Sequence, residues 1–298
     1  MQSVWLHRFT ILLAVVTLFL VVAGASVTSN DAGLSVPDWP LSYGKLMPNM
    51  TGGVFYEHGH RMVGATVGFL TIILAVWVST TDDRVWMKRL GWIALAGVIF
   101  QGVLGGLTVL YKLPKPISIT HACTAPLFFS LMVAFTQFTS PRWRAGPEPV
   151  EESGRPSLRF LAVLVPVVVL AQIALGAAYR HQAFGLAPHL VGALVVTIVV
   201  MMAATLALQQ FPKHRMVHNA AMAMLLVTLV QVFLGILAYA SRVFGTASDQ
   251  LMGFMVIATV LHVAAGALTL ASSVVFAIHV RRNVRPPHHA GEAVSVTS

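Results

Sequence analysis

The chain is 298 residues long, 57% hydrophobic and only 10% charged, with a mean hydropathy of +0.79. That balance excludes a soluble globular domain, whose charged fraction is about 25%, and describes a polytopic membrane protein. The net charge of +9 and the pI of 10.3 come from basic residues beside apolar runs, where topology and anionic lipid place them, so nucleic-acid binding is a poor reading of the charge.

Apolar runs of roughly spanning length, about 20 residues each, cover 9–27, 62–79, 90–111, 117–138, 160–179, 188–208, 220–240 and 251–280. They predict eight transmembrane helices. The first run, with Arg8 before it and Ala23-Gly24-Ala25 near its end, has the look of a signal peptide, but its place in the repeat described below argues that it is kept. The long loop after it mixes turn formers with aromatics from Asn30 to Lys45, which reads as an ordered cap with Trp39 and Tyr43 at interfacial depth. The loop runs into Tyr56-Glu57-His58-Gly59-His60-Arg61 at the start of the second span. Residues 140–157, SPRWRAGPEPVEESGRPS, are rich in Pro, Gly and charge and read as a linker. The last run exceeds what a span needs, so its helix is expected to tilt or to begin after Leu251.

Alternating the loops leaves Lys45, Arg61, Lys112, Lys115, Arg180 and Arg242 on one side and most of the 19 Lys and Arg on the other. The positive-inside rule then puts both termini in the cytoplasm. The expected organisation is an N-terminal four-helix bundle (1–139), a cytoplasmic linker (140–157), a C-terminal four-helix bundle (158–285) and a cytoplasmic tail (286–298). The single cysteine, Cys123, permits no internal disulfide and reads as a small packing residue.

The halves resemble each other. Gly24-Ala25 is followed by Gly33-Leu34 as Gly176-Ala177 is by Gly185-Leu186, and the third span of each half carries Gln-x-x-Leu-Gly-x-Leu, from Gln101 and from Gln231. Under that alignment His60 corresponds to His189 and His121 to His262, all toward the outer side. A parallel repeat with an even number of spans keeps corresponding residues on one side, so two pseudo-symmetric bundles are expected.

An imidazole in or near hydrocarbon is costly unless it is hydrogen-bonded, buried in protein or bound to a metal. Heme iron accepts two axial imidazoles, and a four-helix bundle can set two facing histidines about a porphyrin. Two matched pairs therefore point to two heme sites, His60 with His121 and His189 with His262. His7, His214, His218, His279, His288 and His289 lie at cytoplasmic ends or in the tail, where solvation is expected, and His58 and His181 border the outer sites. Glu57, one helical turn before His60, has no carboxylate counterpart at Gly185 or Leu186. It is expected to point at the iron site of a half that does chemistry while the other holds a permanent cofactor. A di-iron site, which uses the same Glu-x-x-His unit, lacks carboxylates, since none of the ten Asp and Glu lies in a span core.

The loop sequence Gly33-Leu34-Ser35-Val36-Pro37-Asp38-Trp39-Pro40-Leu41-Ser42-Tyr43-Gly44-Lys45, the Glu57 to Arg61 entry and the four helix-end histidines resemble the heme A synthase family over nearly the whole chain, linker and tail excepted. The resemblance implies an enzyme that oxidises the C8 methyl of heme O to the formyl group of heme A for the terminal oxidase. By position, His60 and His121 would hold the substrate heme, with Glu57 beside it as an acid/base or radical-assisting carboxylate, and His189 and His262 would ligate a resident heme b. Expected partners are heme O, heme O synthase, oxidase assembly factors, membrane lipid and a second copy of the chain. Arg61, Arg180, Lys112 or Lys115 could meet heme propionates. The chain departs from many members at Ser35 and Ser42, where they carry a cysteine pair.

The rival from another class is a di-heme electron-transfer protein using the same histidines, against which the one-sided Glu57 and long loop argue. A solute transporter would place its polar groups near midplane, whereas here they gather toward one side.

Overall fold

The computed structural model describes residues 4–244 and 249–287. His288, His289 and the tail beyond them, like the side chains of Arg242 and Leu251, lie outside the described residues. Among the described residues eight helices are long and apolar enough to cross a membrane: α1 (Val4–Ser29), α2 (Gly53–Thr81), α3 (Val85–Leu110), α4 (Lys115–Thr139), α6 (Leu158–Arg180), α7 (Ala187–Gln210), α8 (Arg215–Phe244) and α9 (Asp249–Asn283). The chain is an all-α, multi-pass membrane protein. Large apolar side chains face outward all along it, among them Phe19, Phe69, Leu194 and Phe233, a surface that lipid covers and water would not tolerate. Hydroxyl groups inside the spans bond back one turn, as Thr17 to the Leu13 carbonyl (2.7 Å) and Thr71 to that of Val67 (2.7 Å), so they cost little in hydrocarbon.

Helices α1–α4 pack with one another and α6–α9 do the same, while α9 also lies against α1 and α4, and α4 against α6. Val21, Phe129, Ala267 and Ala271 form the apolar seam where α1, α4 and α9 meet. The two main cores share a location. Leu6, Leu13, Leu74, Val78, Met87, Met132 and Phe135 fill the first; Leu158, Leu161, Val165, Ala204, Ala207, Val217, Met224 and Phe276 fill the second. Both sit toward the linker end of the helices, and the four histidines lie toward the other.

The linker is ordered. It forms a short helix, α5 (Pro141–Arg144), and a two-residue strand, β1 (Val150–Glu151), paired in parallel with β2 (Val284–Arg285) beyond α9. Its Glu148 amide donates to Asn283 Oδ1 (2.9 Å) and its Glu148 carbonyl accepts from His214 Nε2 (2.9 Å). This corrects the solvated reading of two histidines: His214 and His279 are each only 8% exposed, His214 because the strap folds back over its helix end. His279 Nε2 meets Gln137 Oε1 at 3.2 Å. α9 begins at Asp249, before Leu251, and is long rather than late in starting.

Glu152 ends the strap by capping α6. Its Oε2 accepts from the Leu158 amide (2.7 Å) and its Oε1 from the Ser157 hydroxyl (2.7 Å), placing a buried carboxylate at the positive end of the helix. Glu152→Ala should cost about 1–2 kcal/mol and lower the melting temperature in detergent by a few degrees, with Glu151→Ala neutral. Circular dichroism melts of both variants check this; equal melting temperatures would refute the cap.

Candidate functional site

Each of the four histidines rests in a notch made by a glycine of the neighbouring helix. A Cβ on Gly24 of α1 would stand 2.9 Å from His60 Cε1, one on Gly176 of α6 2.9 Å from His189 Cε1, and one on Gly235 of α8 2.9 Å from His262 Cε1; Gly105 of α3 holds His121 at 3.4 Å. Without a Cβ the imidazole reaches the backbone of the preceding turn. Gln231, four residues before Gly235, accepts from His262 Nδ1 through its carbonyl at 3.2 Å. The backbone of Leu20, Gln101 and Gln172, four residues before the other notches, interacts with His60, His121 and His189 in turn. For His60 and His121, Nδ1 stays buried without a hydrogen bond of normal geometry.

The second pair comes together. The rings of His189 and His262 lie 6.2 Å apart, centre to centre, and nearly perpendicular at 89°. Two imidazoles sharing one iron need a similar separation, with metal–nitrogen bonds of about 2 Å and a ring radius on each side. His60 and His121 lie within electrostatic reach of each other. A pair of facing imidazoles is the axial set a heme iron accepts, its remaining ligands coming from the porphyrin. A carbonyl at Nδ1 leaves Nε2 to the metal.

The loop between α1 and α2 folds as a cap over the first pair's end. Arg61 is its hub: Nη1 donates to the carbonyls of Asp38 (2.7 Å) and Leu41 (2.8 Å), and Nη2 to Glu57 Oε1 (2.6 Å). Glu57 Oε2 accepts from the Val36 amide at 2.8 Å. Glu57, 4% exposed, is thus neither a solvated helix-end carboxylate nor aimed freely at a metal, since both its oxygens are engaged. His58, also buried, meets Ser42 Oγ at 2.8 Å. The Asp38 carboxylate accepts from the Gly44 (2.8 Å) and Tyr43 (2.7 Å) amides, and the Gly44 bond chiefly holds its pKa below the usual value. Trp39 lies flat on Gly106, where a Cβ would come within 2.6 Å of the indole, next to the Gly105 notch. Arg61 is spent on the loop, and Lys115 Nζ donates to the Gln182 carbonyl (2.7 Å) and Arg180 to Ser29 Oγ (2.9 Å), ties that join the two sets of helices at the histidine end.

The sequence matches the pattern of the COX15-CtaA family, described as cytochrome oxidase assembly protein, over residues 7–54 and 49–280. The chain belongs to this family. Its relatives include the heme A synthase of Symbiobacterium thermophilum, 32% identical over 171 residues that make up 56% of each chain. That of Shewanella oneidensis is 28% identical over 194 residues, 59% of this chain and 56% of that one; that of Bacillus licheniformis is 23% identical over 263 residues, 78% of this chain and 85% of that one. The chain thus matches little more than half the length of the first two.

The notches and Gln172 are the residues that sequence reasoning missed. The signal was present, because Gln-x-x-Leu-Gly in α3 and α8 occurs again in α6 as Gln172 to Gly176. Gly176→Ala and Gly235→Ala should displace the imidazoles and lower bound heme severalfold, whereas Gly68→Ala and Gly102→Ala, with open space at the Cβ position, should not. Heme content per purified chain decides this, and equal content in all four variants would rule out the notch as a ligand support.

Proposed function

We propose that the chain is a heme A synthase, oxidising the C8 methyl group of heme O to the formyl group of heme A. Its supports are the family membership, the relatives' names and one observation above all: two like histidine pairs stand in like notches, and only the His60 and His121 pair has the Glu57–Arg61 cap beside it. In this reading residues 1–139 and 158–285 are two pseudo-symmetric bundles joined by the strap 140–157 and followed by the tail 286–298. His60 and His121 hold heme O, and His189 and His262 hold heme b. The excess of basic residues at the linker end puts that end and both termini in the cytoplasm of a cell whose inner membrane carries the protein. Heme O synthase and oxidase assembly factors are the partners the substrate and product require.

His189 and His262 would hold the resident heme b, which when bound would supply a one-electron carrier. The chain's own part is positional and electrostatic. Apolar side chains exclude water from the porphyrin, and the cap closes the end over His60. Glu57, ion-paired and fixed by the Val36 amide, acts as a preorganised negative charge that stabilises positive charge developing on the carbon under oxidation. Acting as a free proton carrier would first require it to give up Arg61.

Glu57→Gln keeps the size and removes the charge. Expressed with a heme O source, this variant should retain heme b, still admit heme O, and form heme A at least about 10²-fold more slowly; chromatography of extracted hemes O and A and any hydroxylated intermediate measures it. Wild-type yields would return Glu57 to a purely structural role and favour the electron-transfer alternative. His189→Ala or His262→Ala should remove most of the low-spin, bis-imidazole heme b signal, and normal spectra in both would sink the ligand assignment.

A further inference from the structure

The four notches differ at one position. Four residues before the glycine stand Gln101, Gln172 and Gln231 in α3, α6 and α8, but Leu20 in α1. All three glutamines reach the histidine-bearing helix, and two of them bond its backbone. Gln172 Nε2 donates to the His189 carbonyl (2.8 Å) and lies 3.0 Å from its Nδ1. Gln101 Nε2 donates to the His121 carbonyl (3.3 Å), and its Oε1 accepts from Thr124 Oγ1 (2.8 Å). Gln231 Nε2 approaches His262 Nε2 at 3.4 Å. Each side chain fits against a small residue one turn past the histidine: Gly192, Thr124 and Gly266. Leu20 fills the same niche, its Cδ1 3.8 Å from where a Cβ on Gly64 would stand, and offers no hydrogen bond. His60 Nδ1, like His121 Nδ1, is buried without a hydrogen bond of normal geometry, but only His121 has a side-chain amide on its turn.

An axial imidazole leaves iron by swinging away with its turn of helix, and a side-chain amide gripping that turn opposes the swing. His121 and His189 are gripped through their carbonyls, and His262 is held by its ring, whose Nδ1 donates to the Gln231 carbonyl at 3.2 Å. We propose that Leu20 is a positioning residue that makes His60 the releasable ligand of the substrate heme, so that this heme can be exchanged and accept a small neutral ligand, while the His189 and His262 pair stays closed. The inference rests on the reading that both pairs hold heme. It also assigns the open coordination position to the side that carries the Glu57–Arg61 cap.

The test uses carbon monoxide on the full-length, heme-loaded, reduced protein. In the wild type CO takes the position His60 vacates on one of the two hemes, and the other does not react. Leu20→Gln should slow CO binding about tenfold, the factor that one protein hydrogen bond supplies, and shift the substrate heme toward a low-spin spectrum at unchanged heme content. Leu20→Met, of similar bulk and without an amide, should keep the wild-type rate. Gln172→Leu makes the reverse change and should open the second heme to CO, which keeps the idea testable if Leu20→Gln fails to fold. Equal CO rates and spectra in the wild type, Leu20→Gln and Gln172→Leu, with both hemes bound, would overturn the role of Leu20 alone. A folded wild type without heme, or heme content indifferent to replacing all four histidines, would instead overturn the two-heme reading and this inference with it.

Discussion

An imidazole at membrane depth has two ring nitrogens to satisfy and little water to satisfy them. The glycine notch brings the ring against the neighbouring helix's backbone, where the carbonyl of the preceding turn can take one nitrogen, as Gln231 takes His262 Nδ1. Most of what is specific about this fold depends on that contact. It requires a bare backbone at Gly24, Gly105, Gly176 and Gly235, close approach of α1 to α2, α3 to α4, α6 to α7 and α8 to α9, and a histidine at the matching height on each second helix. Small residues that let helices approach closely are common in membranes; here the gap admits a ring.

Packing is concentrated at the other end of the helices. Both main cores lie toward the linker end, where Leu13, Met87 and Phe135 on one side and Leu161, Met224 and Phe276 on the other are almost wholly buried. The strap adds to that end, where Glu152 caps α6 and β1 pairs with β2 beyond α9.

Eight helices were legible because about 20 apolar residues in succession have few other uses, and the histidine pairs were legible because the Gly and Gln markers repeat in order. What escaped is tertiary. Gly24 and Gly176 served as markers of duplication, yet nothing in one helix's sequence says that a ring from the next will lie on its backbone. The burial of His214 and His279 escaped for a related reason: a Pro- and Gly-rich stretch reads as a loose linker, and its docking depends on Asn283 and Val284, more than 130 positions away. Arg61 was partly legible. Its i, i+4 spacing from Glu57 predicts a pair, but the carbonyls of Asp38 and Leu41 that complete its shell come from the loop.

That shell changes the chemical meaning of Glu57. A carboxylate free to move beside a reacting group is suited to carry protons, whereas one fixed by a guanidinium at 2.6 Å and an amide at 2.8 Å is suited to present charge at a constant place. The same Arg61 holds the loop, so cap and carboxylate are one unit, and an opening of the cap that let a large substrate pass would release Glu57 as well. Ser35 and Ser42 belong to this unit through other bonds: the Ser35 carbonyl accepts from the Tyr43 hydroxyl at 2.6 Å, and Ser42 Oγ meets His58 at 2.8 Å. In this chain hydrogen bonds, most of them around one arginine, do the holding, and they can break and re-form without a redox partner.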